Sequence, residues 1–158
     1  MNKEKIKKTI SILLLIIWMS IIFYFSHQDA TDSSSLSNGF ISNIYSFITG
    51  KEATLEVLEK YSYIVRKLAH FGVYFILGLI SFNVMYQFKV KYKYIFAFLI
   101  GFLYSVSDEI HQIFIPGRAG QIKDILIDSS GTLLAIFLCY LISLMVLKCK
   151  KTKNDDNL

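Results

Sequence analysis

Four apolar runs, Ile10–Phe25, Leu68–Gln87, Tyr94–Phe114 and Ile125–Leu147, take up most of this chain, and each is near the length that crosses a bilayer as a helix. With 54% of its 158 residues hydrophobic and 18% charged, the chain has too little polar surface for a soluble domain, and it is too short for a large transporter. The expected architecture is an all-α integral membrane protein: one small domain over residues 1–150, built as a four-transmembrane-helix bundle, with residues 151–158 as a cytoplasmic tail. The first run is the shortest and follows a lysine-rich start, which gives it the look of a secretory signal. Ser26-His27-Gln28-Asp29-Ala30 is a poor cleavage site, however, so a retained anchor helix is expected.

Lysines set the orientation. Lys3, Lys5, Lys7 and Lys8 precede the first run, Lys89, Lys91 and Lys93 join the second and third, and Lys148, Lys150, Lys151 and Lys153 follow the fourth. Positive flanks stay in the cytoplasm, so both termini are expected inside a multi-pass cell-membrane protein, with Ser26–Arg66 and Ile115–Lys123 facing outward. The net charge of +5 is accounted for by these flanks and calls for no nucleic acid. Cys139 and Cys149 lie within and just beyond the last run, away from an oxidising exterior, which argues against a disulfide or a thiolate zinc site.

In the outward loop, Asp29–Asn38 is rich in capping and turn residues. Leu36, Phe40, Ile44, Phe47 and Ile48 follow at three-to-four spacing, predicting an amphipathic helix against either lipid or the bundle. After Thr49-Gly50 the segment from Glu52 to Arg66 resumes as helix and runs into the second span.

The third run holds the polar residues that matter most. The apolar stretch Tyr94–Val106 rises only about 20 Å, against a hydrocarbon core of about 30 Å. The helix must therefore continue through Ser107-Asp108-Glu109-Ile110-His111-Gln112, which places ionisable groups inside the outer part of the bilayer. Asp108, His111 and Gln112 share one face, with Glu109 turned about 100° away. On the second span, Lys67, His70 and Tyr74 share a face, and Gly72 and Gly78 allow a neighbour to approach. Ile115-Pro116-Gly117-Arg118 reads as a type II turn holding Arg118 over the helix ends, either to clamp a carboxylate or phosphate or to bridge to an Asp. Asp124 and Asp128 open the fourth span; Asp124 is explained as a cap, Asp128 less easily. These segments meet at one membrane level, predicting a single outward polar pocket with Lys67, His70, Tyr74, Asp108, Glu109, His111, Gln112, Arg118, Asp124 and Asp128 as ligand-binding residues and no assigned metal.

Lys67-Leu-Ala-His70-Phe71-x-x-Tyr74, Asp108-Glu109-x-His111-Gln112-x-Phe114-x-Pro116-Gly117-Arg118 and Asp124-x-x-x-Asp128-x-x-Gly131 together resemble the VanZ-like family, over roughly Ile10 to Leu147. Asp128 stands where that pattern often carries Asn. The family's namesake is a membrane protein associated with low-level resistance to teicoplanin, a lipoglycopeptide acting on cell-wall precursors. The resemblance implies a protein of a Gram-positive cell envelope that lowers susceptibility to such drugs by binding a headgroup, a lipid-linked wall precursor or the lipoglycopeptide itself. The alternative is an intramembrane hydrolase or transferase on a lipid-linked substrate, for which His70, His111, Asp108 and Glu109 supply nitrogen and oxygen donors, though no His-Glu-x-x-His spacing or activated serine is present. A third reading treats the polar residues as interhelical glue. The residues alone name no cofactor and do not decide between binding and catalysis.

Overall fold

The computed structural model describes the backbone of residues 2–155 and the side chains of residues 2–149. Its five helices are α1 (Lys3–Ser26), α2 (Ala30–Thr49), α3 (Leu55–Gln87), α4 (Lys93–Gln112) and α5 (Ile122–Asp155). Three of them are long and apolar enough to cross a membrane: α1, α3, and α5 over Ile122–Cys149. The last turns of α4 carry Asp108, Glu109, His111 and Gln112, and these polar turns keep it out of that set. Its 20 residues nevertheless rise about 30 Å. It runs from Tyr94, packed on Phe82 and Tyr140, to Asp108, bonded to Ser26 at the far end of α1.

The helices are longer than the apolar runs because their caps lie in the polar flanks. Asn2 accepts the Glu4 amide and starts α1 well before Ile10. Asp29 accepts the amides of Thr31 and Asp32, both at 2.9 Å, so of the capping and turning roles open to the serine-rich stretch Asp29 takes the cap and the chain is helical from Ala30. Ser34, Ser35 and Ser37 donate their hydroxyls back to carbonyls of the preceding turn, which removes their competition with the helix. Gly50, at φ 69°, closes α2, and Thr54 caps α3, which then runs unbroken to Gln87. At the other end α5 continues to Asp155, into the segment expected as a tail; residues 156–158 lie outside the described residues.

α3 and α5 form the main packing pair. α4 lies against both, and α1 and α2 pack on α3. Polarity is inverted relative to a soluble protein. Ser81, Ser105, Asp108, Glu109, Asp128 and Thr132 are buried, while Leu13, Ile16, Ile17, Leu133 and Phe137 face outward, the arrangement hydrocarbon requires. Interhelical hydrogen bonds replace a hydrophobic drive. Trp18 Nε1 donates to the Val73 carbonyl at 2.9 Å, Tyr104 to Met19 at 2.6 Å and Thr132 to the Tyr74 carbonyl at 3.2 Å. The close approach of α3 and α5 rests on Gly131, where a Cβ would collide with the Phe71 carbonyl oxygen, and on Gly78, where one would lie 2.9 Å from Ala135 Cβ. Gly72, expected to serve the same purpose, faces open space.

Candidate functional site: a buried polar centre behind an apolar cleft

The register set by Gly131 places Asp128 of α5 opposite His70 of α3. Asp128 is 0% exposed, and its Oδ1 lies 3.5 Å from His70 Nδ1. From α4, Asp108, 3% exposed, enters the same space and accepts the Ser26 hydroxyl at 2.8 Å. One donor atom from each of His70, Asp108 and Asp128 lies within 4.8 Å of the others. Tyr74 and Gln112, also buried, border Asp108. The Tyr74 hydroxyl, the Gln112 side-chain nitrogen and both Asp128 oxygens lack a hydrogen bond of full geometry. Unsatisfied polar groups in such surroundings carry a desolvation cost of about 1–3 kcal/mol each.

The remaining expected residues serve different neighbours. Lys67 forms a partly buried ion pair with Asp124, which makes it a structural strut between α3 and α5 rather than a free cation. Asp124 is thereby an ion-pair partner as well as a residue of the first helical turn. Glu109, 3% exposed, accepts the Gln121 amide at 2.8 Å and fastens the loop ahead of α5. His111 stacks on His27, with ring centroids 5.3 Å apart and Nε2 3.2 Å from His27 Nδ1, and it also packs on Phe23.

Ile115–Arg118 forms the expected turn. The Arg118 amide donates to the Ile115 carbonyl at 3.1 Å with Gly117 at φ 71°. Arg118 reaches a cleft of about 580 Å³ between α1, α2 and α3, whose walls include Ile22, Phe25, Leu36, Phe40, Leu68 and Val73. Ser26, His70 and Arg66 also line it. The guanidinium of Arg118 lies 3.5 Å from the Phe25 carbonyl. Partial burial, and next the charge of Arg66, hold it below its ordinary pKa. Among the described residues neither arginine has a salt-bridge partner, so the Arg118–Asp bridge weighed from the sequence does not form. At the start of α2, Asp29 sits below the usual aspartate range, chiefly through its hydrogen bond with the Thr31 hydroxyl and then the Asp32 amide.

The geometry thus joins His70, Asp108, Asp128, Tyr74 and Gln112 in one centre and puts Arg118 at its approach. It separates Lys67, Glu109, Asp124 and His111 into neighbouring contacts. Arg66 was not singled out in the sequence, although it stands one helical turn before His70.

Residues 11–143 match the family model described as VanZ/LLP1. No curated protein and no solved structure matches the chain at a significant level.

Proposed function

Because the chain belongs to the VanZ/LLP1 family, and three of its helices are fit to span a membrane, we propose that it is a multi-pass envelope protein whose cleft binds an amphiphile with an anionic headgroup. In this reading α4 is the fourth span, both termini are cytoplasmic, and the cleft opens outward. The occupant is a lipid-linked wall precursor or a lipoglycopeptide, and its capture lowers susceptibility to teicoplanin-type drugs.

One observation carries the proposal: two arginines without a carboxylate partner, Arg66 and Arg118, line a cleft that is otherwise mostly apolar. Paired guanidiniums favour phosphate or carboxylate in two-pronged geometry, and the apolar walls suit an acyl or prenyl chain. Lys67, expected among the ligand-binding residues, is neutralised by Asp124, so the second cation of the cleft is Arg66.

The test is teicoplanin and vancomycin susceptibility in a Gram-positive host expressing wild type, Arg66→Ala, Arg118→Ala and Asp108→Asn at matched membrane levels. A selective rise in teicoplanin tolerance with wild type, lost in the arginine variants, is the expected result. Equal susceptibility of all strains would sink the resistance reading.

A hydrolase or transferase acting on the same amphiphile is favoured by one feature: His70 lines the cleft with the Asp128 carboxylate 3.5 Å behind it, as a general base stands before its orienting acid. Release of headgroup from a lipid diphosphate by protein in nanodiscs, absent in His70→Ala, is the outcome that reading requires.

A further inference from the structure

The three side chains that meet behind the cleft come from three helices, and their charge is not balanced from within the protein. Lys67 is engaged by Asp124, and the groups that border Asp108 on its hydrogen-bonding side, Ser26, Tyr74 and Gln112, are all neutral. A protonated His70 would offset one of the two carboxylates and leave the other buried and uncompensated. Charge in such a dry setting costs several kcal/mol. Asp128, fully buried with both oxygens lacking a hydrogen-bond partner, points into this space, and the unpartnered Tyr74 hydroxyl borders it.

We propose that His70, Asp108 and Asp128 hold a divalent cation through one imidazole nitrogen and two carboxylates. Neutral imidazole with two carboxylates cancels the ion's charge of two, so the filled centre is electrically neutral where the helices are driest. One nitrogen and two oxygen donors suit a borderline transition ion such as Zn²⁺ or Mn²⁺ better than Mg²⁺ or Ca²⁺, which prefer oxygen alone. Donors bound tetrahedrally to one such ion at about 2.0–2.2 Å stand about 3.3–3.6 Å apart. The observed limit of 4.8 Å therefore asks for at most about 1.5 Å of inward movement between any two donors, within reach of side-chain rotation. Three protein ligands leave coordination positions open, and His70, which also lines the cleft, puts the ion within reach of what the cleft holds. This site does not depend on the arginine pair, and it departs from the expectation of no metal.

The experiment uses the full chain, without a polyhistidine tag, in nanodiscs. It is equilibrated with Zn²⁺, desalted and assayed for metal by mass spectrometry. Wild type is expected to retain about one ion per chain, His70→Ala and Asp128→Asn at least about tenfold less, and Asp32→Asn, on the exposed face of α2, the wild-type amount. Wild type loaded with Mn²⁺ needs no variant to fold. Its pulsed electron paramagnetic resonance should show modulation from one directly bound imidazole nitrogen. No retained ion, equal retention by Asp128→Asn, or Mn²⁺ without nitrogen modulation each overturns the assignment. Arg66→Ala and Arg118→Ala are expected to keep the ion, so loss of amphiphile binding and loss of metal are read separately.

Discussion

Arg118 enters the cleft because Gly117 takes a positive φ that turns the chain back toward Phe25, and Arg66 reaches the same cleft from a helix that starts elsewhere. Two like charges held together with no carboxylate in salt-bridge contact among the described residues repel, so an anion bound between them gains from both. A charge-assisted contact of about 1.5–3 kcal/mol corresponds to an affinity loss of about 10- to 100-fold when either arginine is removed. Isothermal titration with a short-chain lipid phosphate measures this directly. Lys67→Ala should behave differently. It leaves Asp124 unpaired at the helix interface and lowers stability by about 1–3 kcal/mol, read by thermal unfolding in detergent, while probe affinity stays within about twofold of wild type. The difference between the lysine and the two arginines was invisible in the sequence. Lys67 and Asp124 are 57 positions apart, and no local spacing says that one cancels the other. His70, Asp108 and Asp128 were legible, since counting turns from the membrane-entry points already puts them at one depth.

The spacing of α3 and α5 sets the separation of His70 and Asp128, and that spacing is a glycine contact. Gly131→Ala should push the helices apart, cost about 1–3 kcal/mol by overpacking and weaken any activity that needs the histidine–aspartate pair. Gly72→Ala is the matched control, because nothing lies within 4 Å of its added methyl group. It should be neutral or stabilising by up to about 1 kcal/mol through helix propensity, and unfolding of the two variants side by side makes the comparison. The sequence flagged Gly72 and Gly78 equally, since both sit on the entering helix; which glycine meets a backbone depends on the rotation of α3, and periodicity does not fix that. For α2 the amphipathic stripe was readable, but its start was not. Serines that look like turn formers bond to their own helix once Asp29 has capped it. Asp29 has a folded pKa below its unfolded value, so its contribution is present above the ordinary aspartate range and is lost as pH falls through the lowered value. Amide exchange in the first turn of α2 should therefore accelerate in that acidic window, and Asp29→Asn should flatten the response.

For the whole molecule, buried hydroxyls and carboxylates under an apolar exterior mean that the bundle specifies itself by hydrogen bonds and small residues, not by expulsion of apolar surface. Composition and the long apolar runs were enough to read a helical membrane protein from the sequence. They did not show that α4 is sandwiched against both α3 and α5, because α4's own polar turns lower its apolar signal. Topology is testable with single cysteines in a Cys139→Ser, Cys149→Ser background. Labels at Asn38 and Ala119 should react with a membrane-impermeant maleimide in intact cells, and one at Lys91 only after lysis. The opposite pattern would invert the proposed orientation and place the cleft toward the cytoplasm.

The chain's single tryptophan, Trp18, donates its indole hydrogen to the Val73 carbonyl, and Val73 is itself part of the cleft wall. That bond makes the protein its own optical gauge. Any occupant that parts α1 from α3 must loosen it, and one that wedges them together must hold it, so the emission of a single native fluorophore follows the opening of the cleft without a label.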